Sequence, residues 1–179
     1  FPPDPTETTA SVGGAAACNA SGAHTFRYGP VRNYVNAMTI VLIDGSLLNI
    51  ERGQVKADNS GHYLFTNACG QKHRFSAPQY RQPATKNAAG YFSGKHLDLV
   101  DLFVGSEGTL GVIAEVEVTL VPRPEVTHSL VLFLENEAQA LELTHAFRVN
   151  RDMLGIDAIE YFDSGALAFM REHLAKHGA

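Results

Sequence analysis

Two glycine-rich segments are the stretches of this 179-residue chain best suited to bring a ligand against the backbone. The first runs Gly13-Gly14-Ala15-Ala16-Ala17-Cys18-Asn19-Ala20-Ser21-Gly22. Its glycines allow close approach, and its amides, with the Asn19 side chain, suit anionic or heteroaromatic groups. The second is Gly105-Ser106-Glu107-Gly108-Thr109-Leu110-Gly111. Neither ends in the Gly-Lys-Ser/Thr of a phosphate-binding loop, and neither follows a strand inside a βαβ unit, as a dinucleotide fingerprint must. Residue types alone leave two readings of each segment: a cofactor cradle, or tight turns packed against strands.

Other chemistry-bearing side chains read more plainly. His24, beside the first glycine segment, is expected to be a surface or hydrogen-bonded loop histidine rather than a cofactor contact. Lys86 is either an exposed lysine or a charge near a bound cofactor. Glu107 is expected to accept backbone hydrogen bonds in its tight loop rather than to act as an acid or base. Asn19-Ala20-Ser21 fits the glycosylation acceptor pattern, but a buried cofactor loop leaves it unused. His173 and His177 have the spacing of a helical metal pair with no third ligand in the sequence, so a helix surface is expected and no metal site. Cys18 and Cys69 lack metal or disulfide-framework spacing and read as core or loop thiols.

These groups need elements to position them. Residues 1–34 carry turn-formers and small residues, a loop-and-short-helix segment. An apolar run from Val35 to Ile43, then Asp44-Gly45, then Leu47 to Ile50, predicts a hairpin whose two turn residues both take positive φ. Tyr63 to Thr66 and Lys72 to Phe75, around Cys69-Gly70, predict a second. Residues 76–96 form a long polar connection, and Leu97 to Val104 suits a short helix. Alternation from Leu110 to Val121 predicts a strand with Val112, Ala114, Val116, Val118 and Leu120 inward and the solvated Glu115, Glu117 and Thr119 outward.

Pro122-Arg123-Pro124 marks a boundary, since closely spaced prolines stop a strand and stiffen a linker. Beyond it the pattern predicts a strand over Leu130–Leu134 and a helix capped by Asn136 with Ala140, Leu141, Thr144 and Phe147 on one side. A strand over Ala158–Phe162 and a helix capped by Asp163 or Ser164, with Leu167, Met170 and Leu174 inward, follow. The fold class is α+β: a mostly antiparallel sheet with flanking helices over residues 1–121, then a second α+β unit begun at 122–179.

Composition narrows the partners. Apolar residues make up 45% and charged residues 18%, enough greasy surface for a core. The net charge of −5, with 14 scattered basic residues, argues against nucleic acid, which needs clustered Lys and Arg. No apolar run approaches the roughly 20 residues that cross a bilayer. A cytoplasmic location is expected, with peripheral membrane association allowed.

An ordered set of motifs resembles one flavoenzyme group. Asp4-Pro5, Val12-Gly13-Gly14, Asn19-Ala20-Ser21-Gly22, Tyr28-Gly29 and Val41-Leu42-Ile43-Asp44-Gly45 are similar to the FAD-binding region of enzymes with the p-cresol methylhydroxylase or vanillyl-alcohol oxidase fold. Lys86-Asn87-Ala88-Ala89-Gly90-Tyr91, the run from Asp101 to Ile113, and Ile156 to Asp163 follow in the group's order. Within it the chain most resembles the glycolate oxidase flavin subunit and the D-lactate dehydrogenases.

The resemblance implies FAD as cofactor and oxidation of a 2-hydroxy acid to the 2-oxo acid. Hydride would pass from the α-carbon to flavin N5, and electrons would leave to a quinone, cytochrome or flavoprotein. It implies that Ser11, Val12, Gly13, Gly14, Asn19, Ser21 and Gly22 line the flavin, with Asp4 and Pro5 shaping the approach to that loop. Tyr28 and Gly29 would pack beside it. Glu107 belongs to the same cofactor-binding set, and Gly111, Val112 and Ile113 would lie along the cofactor toward its adenosine end. Lys86, Asn87 and Tyr91 are placed at the substrate mouth.

No catalytic residue is assigned. The group's pyrophosphate loop and its substrate- and metal-handling side chains are expected outside residues 1–179. The second subdomain of the FAD-binding domain (residues 1–121) and the start of a cap domain (122–179) are therefore expected, a fragment inactive alone and weak in FAD binding. Two alternatives stand beside this: a same-fold flavoenzyme for another alcohol, and a non-catalytic nucleotide-binding module. Exposed apolar surface allows a homo-oligomer.

Overall fold

The structure, a computed structural model, describes residues 7, 9–94 and 97–177, the side chain of His177 excepted. The chain divides into two compact units, Phe1–Pro122 and Arg123–Ala179. In the first, helices α1 (Val12–Ala17) and α2 (Thr25–Tyr28) and a 3₁₀ turn (Val31–Tyr34) lead into β1 (Val35–Val41) and β2 (Leu47–Glu51). Strands β3 (His62–Thr66) and β4 (Lys72–Ser76), helix α3 (Leu99–Phe103) and β5 (Val112–Val118) complete it. One antiparallel sheet has the order β2-β1-β5, and β3 and β4 form a separate antiparallel pair. The α+β class with antiparallel sheets and flanking helices is what the sequence led us to expect.

The core follows the apolar periodicity. Leu48 and Ile50 of β2 meet Val35, Met38 and Ile40 of β1, and Tyr63 and Phe65 join from β3. Helix α3 buries four of its five residues, Leu99, Val100, Leu102 and Phe103. Asp98 makes so short a helix tenable: Oδ1 accepts from Val100 N at 3.0 Å, while Oδ2 accepts from Gly53 N at 2.6 Å.

Two local expectations are corrected. In the β1–β2 turn only Gly45 has positive φ (81°), not both turn residues. Gly45 N donates to Leu42 O at 2.9 Å and Leu42 N to Ser46 O at 2.9 Å, so the loop has three residues, Ile43-Asp44-Gly45. The Asp44 carboxylate caps it by accepting from Ser46 N and Oγ, which frees Asp44 from any need for positive φ.

The faces of β5 are also not a simple alternation. Thr39 pairs with Glu115 but Ile40 pairs with Ile113, which leaves Ala114 as an extra bulged residue. The bulge resets the pleat, so Ile113, Val116 and Val118 pack on the core while Val112 is 67% exposed. A period of two cannot register one inserted residue.

Burial carries a pH signature. Tyr63 is fully buried, and desolvation, helped by the nearby Asp101 and Asp98 charges, raises its phenol well above the ordinary value of 10.0. The folded state then holds a proton that the unfolded state releases. Tyr63 thus contributes stability that is fully present below pH 10.0 and is lost as the pH rises beyond it. Unfolding free energy is expected to fall above that point by up to about 1.4 kcal/mol per pH unit from this group. In urea titrations, Tyr63→Phe is expected to flatten the alkaline slope by that amount; an unchanged slope contradicts the assignment.

In the second unit, α4 (Glu137–Val149) and α6 (Ser164–His177) lie where the sequence places helices, with a short α5 (Arg151–Leu154) between them. Asn136 Oδ1 caps α4 through Gln139 N at 3.0 Å, and Asp163 Oδ1 accepts from Ala166 N at 2.6 Å. The expected strands over Leu130–Leu134 and Ala158–Phe162 are not formed. Strand propensity produces a strand only where a ladder partner exists. Among the described residues none pairs with them, and Leu130 (81%) and Phe133 (91%) lie exposed.

Candidate functional site

The two glycine segments, far apart in sequence, are joined in space. Ser11 Oγ accepts from Gly14 N at 3.0 Å and starts α1. At its other end Asn19 adopts φ 45°, with Asn19 N donating to Ala16 O (3.1 Å) and Ala20 N to Ala15 O (2.8 Å). That paired closure lets the chain reverse directly after the helix. Gly105 N then donates to the Ala16 carbonyl at 3.0 Å and Glu107 N to the Ala17 carbonyl at 2.9 Å. The second segment is therefore clipped onto the end of the first.

Arg32 sits at the centre of this join. Its main-chain N donates to Asn19 Oδ1 at 3.1 Å, which explains why a non-glycine residue holds the left-handed position. The guanidinium is buried. It donates to Val104 O at 2.6 Å and to Asp101 O, lies 3.4 Å from Asp101 Oδ1, and stacks 4.3 Å from the Phe92 ring centroid. Burial lowers its pKa from the ordinary 12.5, opposed by the Asp101 carboxylate. Arg52 shares Asp101 at 3.1 Å and braces Val35 O and Arg32 O.

The Lys86–Tyr91 stretch joins here too. Tyr91 OH bonds Thr109 Oγ1 at 2.6 Å, and Thr109 Oγ1 donates to Ser106 O at 2.5 Å. Asn19, Arg32, Asn33, Gln82, Asn87 and Phe92 are among the residues that line a small cavity of about 170 Å³. A larger open cavity of about 740 Å³ lies beside Asp58, Tyr80 and Arg81, away from the glycine segments. Its Asp58 carboxylate is already taken up by Ser60 N and His62 N.

The remaining expected site residues are placed as follows. Asp4 and Pro5 lie outside the described residues. Ser11 and Val12 are exposed, Gly22 is buried, and Ser21 is partly buried. Gly13 faces β5, where an added Cβ would come within 3.6 Å of Ile113 O. The Tyr28 carbonyl accepts from Tyr34 OH at 2.7 Å, and Gly29 ends α2 with φ 76°. Val112 and Ile113 pair with Val41 and Ile40 of β1. Gly111 is pressed against Ile40 and Val41, so its lack of a side chain serves the sheet. Lys86 is exposed, and Asn87 Nδ2 donates to Thr85 O. Glu107 is exposed with φ 52°, and its main-chain N–H, not its carboxylate, makes the loop hydrogen bond.

Arg32, Asp101 and Phe92 were not singled out from the sequence. The only local signal is a charged residue between Val31 and Tyr34 in a proline-led turn, and its partners are 69 and 72 residues away. The assembled site can hold and orient a ligand. Among the described residues no group of three or more His, Cys, Asp or Glu is placed to hold a metal ion, and no helix is long and apolar enough to cross a membrane.

Residues 1–51 match a family described as an FAD binding domain. The chain is 28% identical over 98% of its length to a D-lactate dehydrogenase of Anaerostipes hadrus. It is 31% identical over 91% to a mitochondrial D-2-hydroxyglutarate dehydrogenase of Bos taurus, and 33% over 76% to a glycolate oxidase subunit of Bacillus subtilis. The aligned part covers 29%, 23% and 22% of those proteins, so the chain spans only a minor share of each.

Proposed function

We propose that the chain supplies part of the flavin-binding domain of an enzyme oxidising a 2-hydroxy acid to the 2-oxo acid, a reading supported by its match to an FAD binding domain and by its similarity to D-lactate and D-2-hydroxyglutarate dehydrogenases and a glycolate oxidase subunit. In that enzyme residues 1–121 are the later half of the FAD-binding domain and 122–179 begin the substrate cap. The observation that carries this reading is the joining of the two glycine segments through the Gly105–Ala16 and Glu107–Ala17 hydrogen bonds.

The residues present fit a flavin nucleotide. Ser21 Oγ and Ser106 Oγ, one from each glycine segment, are buried with no hydrogen-bond partner among the described residues. Buried unpaired hydroxyls are costly, and an oxygen-rich ligand would satisfy them. Bound FAD supplies the two-electron acceptor for the hydride of the substrate α-carbon. The chain's own part is to hold the loops that orient the cofactor and keep water from it. The small hydroxy acid and the final quinone, cytochrome or flavoprotein acceptor engage other parts of the enzyme.

The test is made on the protein expressed from its full reading frame. Anaerobic addition of D-lactate, glycolate or D-2-hydroxyglutarate is expected to bleach bound flavin, with artificial dye reduced in turnover by at least one of them. Failure of all 2-hydroxy acids, with flavin bound, overturns the substrate class; reduction by another alcohol would identify the same-fold alternative.

A further inference from the structure

Arg32 is the buried charge that the proposed chemistry leaves unused, and its placement has no local explanation. A desolvated guanidinium is a poor source of stability compared with an apolar residue of similar volume. Yet this residue touches the first glycine segment and the residues flanking the other two segments of the candidate site. Its backbone N–H holds Asn19 of the first glycine segment at 3.1 Å, and its Nη2 holds the Val104 carbonyl, one residue before the second glycine segment, at 2.6 Å. Nη1 reaches the Asp101 carbonyl on α3, and the guanidinium carbon rests 4.3 Å from the centroid of the Phe92 ring, which directly follows the Lys86–Tyr91 stretch. Its Nε has no partner among the described residues, so the fork is spent on aligning carbonyls and not on completing its own hydrogen bonds.

We propose that Arg32 is the positioning residue of the flavin site: its planar fork holds α3, the approach to the second glycine segment at Val104 and the Phe92 ring in a single register, while its backbone N–H holds Asn19 of the first glycine segment. This rests on the flavin-binding reading above. Only arginine meets the geometry, because two donors must reach two carbonyls while the flat face stacks on a ring. Lysine keeps the charge but offers one point donor and no plane.

Flavin-stripped full-length protein would be titrated with FAD, following the quenching and spectral shift of bound flavin. Arg32→Lys is expected to raise the FAD dissociation constant about tenfold, the equivalent of one charge-assisted hydrogen bond, and to alter the bound-flavin spectrum. At saturating FAD the KM for the hydroxy acid is expected to stay as in the wild type. Phe92→Leu, a milder change for the case where Arg32→Lys does not fold, is expected to raise the constant about threefold by removing only the stacked ring. Ile50→Val, in the core strand β2, lowers the melting temperature without moving the constant, which separates positioning from general destabilisation. Wild-type FAD affinity and spectrum in both Phe92→Leu and a folded Arg32→Lys would overturn the inference. So would wild-type behaviour of Phe92→Leu where Arg32→Lys is unfolded. A wild-type protein that binds no FAD at all overturns the flavoenzyme reading instead.

Discussion

Gly111→Ala is expected to destabilise the first unit by about 3–5 kcal/mol, from backbone strain and overpacking together. Gly111 has φ 152°, and an added Cβ would lie 2.7 Å from both Val41 O and Ile40 Cγ2. Neither neighbour can yield, since Ile40 is fully buried and the Val41 carbonyl belongs to the β1 ladder. The strand must therefore move outward, and the clip of Gly105 and Glu107 onto α1 moves with it. Gly108 is the natural comparison: φ is 77° but no atom lies within 4 Å of a built Cβ. Gly108→Ala is then expected to cost only about 1 kcal/mol, the price of a left-handed alanine. Urea unfolding of both variants reads the difference as a shift in midpoint at constant slope. Equal midpoints for the two variants would show that the Gly111 approach is looser than it stands.

Asn19→Ala is expected to cost about 2–4 kcal/mol, from two separable sources. One is the left-handed conformation at φ 45°, which asparagine tolerates better than alanine. The other is the Arg32 N–H, which is left buried and unpaired once Asn19 Oδ1 is gone. Asn19→Gly restores the first and not the second, so it is expected to recover about 1 kcal/mol of the loss. Thermal unfolding of the two variants tests the division. A glycine variant as stable as the wild type would show that the side-chain hydrogen bond contributes nothing.

Much of this was legible in the sequence, and what was not shares a physical cause. The hairpin around Cys69-Gly70, the Asn136 cap and the short helix at Leu99–Phe103 could all be read, because each depends on residues within a few positions of one another. The sheet's buried faces could be read at Val116 and Val118 but not at Val112 and Ala114, where one inserted residue reverses the alternation without any local mark. The strands expected at Leu130–Leu134 and Ala158–Phe162 failed for the opposite reason. Their composition was suitable, but pairing is a property of two segments, and no partner is present among the described residues.

The same division holds for the candidate site. By itself the sequence determined that two glycine segments, Asn19 and the Lys86–Tyr91 stretch belong to one family of motifs in one order. It also determined the caps at Asn136 and Asp163, since these are chemical needs of adjacent residues. Only the tertiary structure decided that Glu107 acts through its amide and that Gly111 is a glycine for the sake of Val41. It alone decided that Arg32 draws Asn19, Val104 and Phe92 together. Local hydrogen bonds and backbone strain are written in neighbouring residues. A buried arginine whose backbone bonds 13 positions away and whose charged fork bonds 69 and 72 positions away has its meaning only when the chain has folded around it.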